Sequence, residues 1–157
     1  MLQSRMAANS APTISGDLSD PAAEITAWCA QLLEHLRGHS HIIRKTIAEA
    51  DERPEAACAA CEGSNSASAS LVLYVERLRN AGFADPEADV GTAVSMFMSA
   101  MFGDALYREI IPQAFPQPVA AAPARYVQTF LRSVGVRASL PDRSRQAKVA
   151  GTRRRSR

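Results

Sequence analysis

Between Val90 and Gly103 the chain reads VGTAVSMFMSAMFG, fourteen residues with no charge on any side. A helix of that composition must be covered on most sides, by its own chain or by a second one. The run falls short of the roughly 20 apolar residues that cross a bilayer. Val90, Ala93, Val94, Phe97, Met98, Met101, Phe102, Ala105, Leu106 and Ile110 recur at threes and fours and give a broad apolar stripe. Asp85 can cap the N-terminus, Pro86 suits the first turn, and Glu87 and Asp89 put negative charge at the positive end of the dipole. Pro112 stops the run. The pattern predicts a central helix over residues 86–111, roughly 39 Å long, with the remaining elements packed around it.

Those elements are helical as well. Asp20-Pro21 opens a segment in which Ile25, Trp28, Cys29, Leu32, Leu33 and Leu36 form one face, and Gly38 ends it. A second helix is expected over 40–51, with Ile42, Ile43 and Ile47 inward and Arg44 and Lys45 in water. The GSNSASAS stretch (63–70) has poor helix propensity and predicts a break. Leu71, Tyr74, Val75 and Leu78 then resume the period before Asn80-Ala81-Gly82, a C-terminal stop onto which Phe83 folds back. PQAFPQPVAAAPA, with four prolines, is expected to be irregular. A last helix over 123–134 places Tyr126, Val127, Phe130, Leu131 and Val134 on one side, and Gly135 ends it. Strand-type alternation is almost absent. The expectation is an all-α bundle of about six helices, with a disordered leader over 1–19, a helical domain over 20–136 and a disordered basic tail over 137–157.

The formal charge of +2 conceals an asymmetry. From Arg137 onward eight basic residues stand against Asp142 alone, a net of +7 that leaves −5 for the rest. Such a tail is either solvated or attracted nonspecifically to nucleic acid, although it has no aromatic residue to stack on bases. The polar N-terminus has no secretory apolar core, which predicts a cytoplasmic protein. Cys29, Cys58 and Cys61 are an odd number and give no support for a disulfide framework.

Candidate chemistry is sparse. Cys58 and Cys61 fall one helical turn apart in an Ala-rich stretch without the turn residues of a zinc knuckle, so they are expected to be structural. His35, His39 and His41 gather at a helix end, with no HExxH pattern. Asp104 and Arg108 are i, i+4 neighbours expected to pair at a surface or interface. No phosphate-binding glycine loop or nucleophile motif is present, and neither catalysis nor a cofactor or metal is expected.

Read in order, PAAEITAWCAQLLEHLRGHSHIIRKTIAEADERPE, LVLYVERLRNAGF with the long helix after it, and PARYVQTFLRSVGV resemble the C-terminal regulatory domain of TetR/AcrR-type bacterial transcriptional repressors. The resemblance covers about residues 20–136. Nothing before Trp28 matches the helix-turn-helix of about fifty residues that opens such repressors. It therefore implies an effector-binding and dimerisation domain without its own DNA-binding domain, and DNA as a partner only through a longer chain or an associated subunit. In that family the last two long helices of each subunit form a four-helix interface. The expected dimer contacts are Met101, Phe102, Ala105, Tyr126, Phe130 and Val134 of a homodimer. The expected pocket for an apolar small-molecule effector is lined by Trp28, Leu32, Tyr74 and Phe97. The competing expectation is a helical interaction module that heterodimerises with a full-length regulator. No membrane partner is expected.

Overall fold

The computed structural model describes residues 12–136, apart from the side chains of residues 56–61. The tail expected over 137–157, residues 1–11 of the leader and the side chains of Cys58 and Cys61 lie outside the described residues. Five α-helices follow one another: α1 (Pro21–Gly38), α2 (Ser40–Ala48), α3 (Pro54–Asn80), α4 (Val90–Tyr107) and α5 (Ala122–Ser133). There is no strand among the described residues, so the chain is all-α, and no described helix is long and apolar enough to cross a membrane.

Among the described residues the count is five rather than about six because α3 does not break. It runs through Gly63–Ser70 as one helix of 27 residues. Each Gly, Ser or Asn in that stretch costs about 0.5–1 kcal/mol of propensity relative to Ala. Burial of Ala67, Leu71, Tyr74, Val75 and Leu78 on a single face offsets that cost.

The central helix is shorter than expected at both ends. Its N-cap is Asp89, whose carboxylate accepts from the Thr92 amide at 3.0 Å and from the Thr92 hydroxyl at 2.7 Å. These two bonds hold the Asp89 carboxyl below its usual pKa. Asp85 instead turns the preceding loop, accepting from the Glu87 amide at 2.9 Å while its own amide donates to the Val134 carbonyl at 3.0 Å. At the other end the helix stops at Tyr107, whose carbonyl accepts from both Ile110 and Ile111, before the 3-10 turn Pro112–Ala114. A second 3-10 turn, Val119–Ala121, gives the proline-rich connection more regularity than its composition suggests.

The glycine stops behave as the sequence predicts. Gly82 (φ 79°) and Gly135 (φ 66°) take the left-handed conformation. The following amides, of Phe83 and Val136, reach back to Leu78 and Leu131. A Cβ on Gly135 would also stand 2.6 Å from the Asp85 Cβ, so this turn is locked against the α3–α4 loop.

Trp28 on Phe97, Cys29 on Met101 and Arg37 on Asp104 set α1 and α4 parallel. Phe97 on Phe130 and Asp104 on Tyr126 set α5 antiparallel to both. α3 covers α4 from a further side, and α2 bridges α3 and α4. Residues 12–19, expected to be disordered, lie along the bundle: Ile14 and Leu18 pack on the core, and the carbonyls of Pro12 and Asp17 accept from Trp28 and Tyr74. The folded unit thus extends upstream of residue 20.

Candidate functional site

The residues expected to line an effector pocket are packed core. Trp28, Leu32, Tyr74 and Phe97 are all buried. The Trp28 and Phe97 rings stack 6.5 Å apart, and Phe97 meets Phe130 at 4.7 Å. The two polar atoms of this group are occupied: Trp28 Nε1 donates to the Pro12 carbonyl at 2.7 Å and the Tyr74 hydroxyl to the Asp17 carbonyl at 2.6 Å. Burial, followed by the charge of Glu24, raises the Tyr74 pKa to about 12.

The expected dimer contacts also face inward. Met101 and Val134 are fully buried, Phe130 and Ala105 nearly so, and Phe102 and Tyr126 are half-buried against the same core. The side of α4 that faces water is the opposite one, carrying Thr92, Ser95, Met96 and Ser99. Met96 is 70% exposed. On α5, Thr129 and Ser133 are exposed and continue, at three- and four-residue spacing, the stripe of Tyr126 that reaches α4. Their hydroxyls bond back to the carbonyls of Arg125 and Phe130 and so present mainly carbon outward. The outer seam of α4 and α5 is therefore uncharged along these positions.

Beneath that seam lies a cluster missed by pattern reading. Asp104 was expected to pair with Arg108 at a surface or interface; it is fully buried, and Arg108 nearly so. Asp104 Oδ1 accepts from Arg37 Nη2 and from Arg108 Nε, each at 2.7 Å. Its Oδ2 accepts from Arg108 Nη2 and from the Tyr126 hydroxyl, the latter at 2.8 Å. Arg108 Nη1 continues to the Pro116 carbonyl at 3.0 Å, and the guanidinium lies over the Phe115 ring. Burial opposes ionisation of Asp104, but the bonds from Arg108, Arg37 and Tyr126 outweigh it and hold the carboxyl below its usual pKa. Burial and the Asp104 charge raise the Tyr126 phenol. Cys29, next to this group, is raised to about 12 by burial and by Asp104, so its thiol stays protonated. Only the i, i+4 half of the cluster was visible in sequence, because Arg37 and Tyr126 arrive from 67 and 22 residues away.

At the far end of the same three-helix layer, a cleft of about 1330 Å³ opens between the start of α1, the α3–α4 loop and the outer side of α5. Phe83, Val127, Leu131 and Val136 contribute apolar surface, with Asp20 and Asp85 on one wall and Arg125 and Arg132 on α5. α1 runs through Gly38, bringing His35 and His39 to a ring separation of 4.5 Å, and His39 Nδ1 lies 2.8 Å from the His35 carbonyl. Burial, then His39, lowers the His35 pKa. No group of three or more His, Cys, Asp or Glu side chains fit to hold a metal occurs among the described residues.

Comparison of the chain with protein families, with curated proteins and with solved structures finds no match.

Proposed function

We propose that this chain is a regulatory domain of the kind found in TetR-like repressors, acting by self-association. The observation that carries the reading is the outer seam of α4 and α5. A water-facing helix surface ordinarily carries charge, at roughly a quarter to a third of its positions. Here Thr92, Ser95, Met96, Ser99, Thr129 and Ser133 stand exposed in its place. Small side chains allow a second helix pair to approach to the 8–10 Å of ordinary helix packing. At about 1.5 Å per residue, the exposed positions from Thr92 to Ser99 supply a face roughly 10 Å long, to which Thr129 and Ser133 of α5 add. Two copies related by a two-fold axis would bury it in a four-helix interface. The contact first expected at Met101 moves to the opposite side of α4, and on α5 the contact shifts from Phe130 to the exposed Thr129 and Ser133 beside Tyr126.

The effector-binding half of the reading moves as well, from the packed core to the cleft between α1 and α5. Its mixture of apolar surface and opposed charges suits an amphipathic molecule rather than a purely apolar one. Ligand binding there would act by favouring one arrangement of the helices over another.

The test is the solution mass of the purified chain, followed by Met96→Glu. The expected result is a dimer that this substitution converts to a folded monomer. A wild-type monomer, or a Met96→Glu dimer, removes the basis for self-association at this face. A chain that is monomeric alone yet pairs with a full-length regulator would replace the homodimer by a heterodimer.

A further inference from the structure

Asp104 joins four parts of the chain at one point: Arg37 at the end of α1, Arg108 just past the end of α4, Tyr126 in α5 and, through Arg108, the carbonyl of Pro116 in the connection between them. Its donors are not equivalent. Arg108 gives Asp104 two bonds, is nearly buried and is anchored further by Pro116 and Phe115. Arg37 gives one bond, its side chain is 31% exposed, and its Nε is buried with no partner. The charges are also unequal, with two guanidinium groups on one carboxylate. If Arg37 swings into solvent, Asp104 keeps Arg108 and Tyr126, the remaining ion pair is neutral, and the orphaned Nε gains water. If Arg108 leaves, the best-anchored bonds break first. Arg37 is thus the detachable donor, and the cluster has two electrostatically acceptable arrangements.

We propose that the Arg37–Asp104 contact is a conformational latch, through which the position of the end of α1 sets the packing of α5 on α4 and hence the dimer face. With Arg37 engaged, Asp104 is held from α1 and in turn holds Tyr126, so α1, α4 and α5 move together. With Arg37 released, α1 is free of the pair. This inference rests on the dimer reading for its output, while the latch itself belongs to the single chain. Arg37 lies one residue before the Gly38–His39 corner into α2, so a displacement of that corner reaches the dimer helices by way of one hydrogen bond.

The experiment is a double-variant cycle with Arg37→Met and Tyr126→Phe, neither of which removes the Asp104–Arg108 pair. Dimer dissociation constants are measured by sedimentation, and folding is checked by circular dichroism. Each single variant is expected to be folded and to weaken the dimer about tenfold, a coupling of ordinary size. The double variant is expected to lose clearly less than the product of the two, with Arg37→Lys recovering part of the loss. Multiplicative effects, an unchanged dissociation constant in Arg37→Met, or failure of Arg37→Met to fold would each overturn the latch. If the wild-type chain is itself monomeric, the dimer reading falls and the latch is read from amide exchange instead. Faster exchange across α5 in Arg37→Met then supports it, and unchanged exchange rejects it.

Discussion

α4 and α5 pack against each other along the same core, yet they divide inside from outside in different ways. α5 separates the two by charge, with Val127, Phe130 and Leu131 buried and Arg125 and Arg132 in water. α4 separates them without charge. Phe97, Met98 and Met101 go inward, while Thr92, Ser95 and Ser99 stay out, and nothing from Val90 to Gly103 is charged. The one carboxylate within α4, Asp104, is buried in the core. Charge is an unambiguous label for a solvated face because desolvating it is expensive. Small neutral residues are not, since they are tolerated in water and at a packed interface alike. The ambiguity of α4 in sequence is the same property that makes its outer side suitable for a partner.

The contrast can be broken first on the inner side of α4. Phe97→Ala empties the space between Trp28 and Phe130 and is expected to cost about 4 kcal/mol in urea unfolding. A loss near 1 kcal/mol would show that this face is less tightly packed than its burial indicates.

Asp104→Ala removes the carboxylate bonded to Arg37 and Arg108 and is expected to cost about 3 kcal/mol, because the Arg108 charge is left buried without its counter-charge. The same cluster predicts the pH dependence. Asp104 has a depressed pKa, so its contribution is present above the usual carboxyl value of 3.8 and is lost as pH falls below it. Cys29 and Tyr126 have raised pKa values, so their contribution is full below the ordinary 9.0 and 10.0 and is lost as pH rises through the folded-state values. A stability plateau across neutral pH, falling at both extremes, is expected in unfolding curves taken as a function of pH. Loss of the acid limb in Asp104→Ala would tie that limb to this carboxylate.

A smaller effect sharpens the N-terminal boundary. Asp89→Ala is expected to cost about 1 kcal/mol as a lost N-cap, whereas Asp85→Ala should weaken the loop without shortening α4. Amide exchange in the first turn of α4 distinguishes the two. Smallest of all, Ser95→Glu should change the stability of the monomer by less than about 0.5 kcal/mol, measured at a concentration too low for self-association. A large loss there would mean that the outer face of α4 is covered within one subunit.

Much of the framework was legible before any coordinates. Asp20-Pro21 and the leucine-rich face of α1, the glycine stops at Gly82 and Gly135, and the inward stripe of α5 follow from helix period and capping chemistry, both local. Within α4 the inward stripe was correctly placed, but Met101, Phe102 and Ala105 were expected to meet a second subunit, and the same subunit covers them. Asp85-Pro86 looked like a better helix start than Asp89. The Asp85 amide goes to Val134 instead, a partner 49 residues along the chain that no local rule contains.

What the sequence determined alone is the all-α class, the approximate helix faces and the chain reversals, because each depends on residues within a turn or two of one another. Tertiary structure decided that α3 stays continuous through a serine- and glycine-containing stretch, since burial of one face outweighs weak propensity. It also decided that residues 12–19 pack on the bundle by satisfying Trp28 and Tyr74, and that Asp104 is a buried junction and not half of a surface pair. In each case the deciding partner lies far away in sequence. The free energy of a contact depends on who arrives at it, and only the folded chain brings Arg37 and Tyr126 to the carboxylate that Asp104 shares with Arg108.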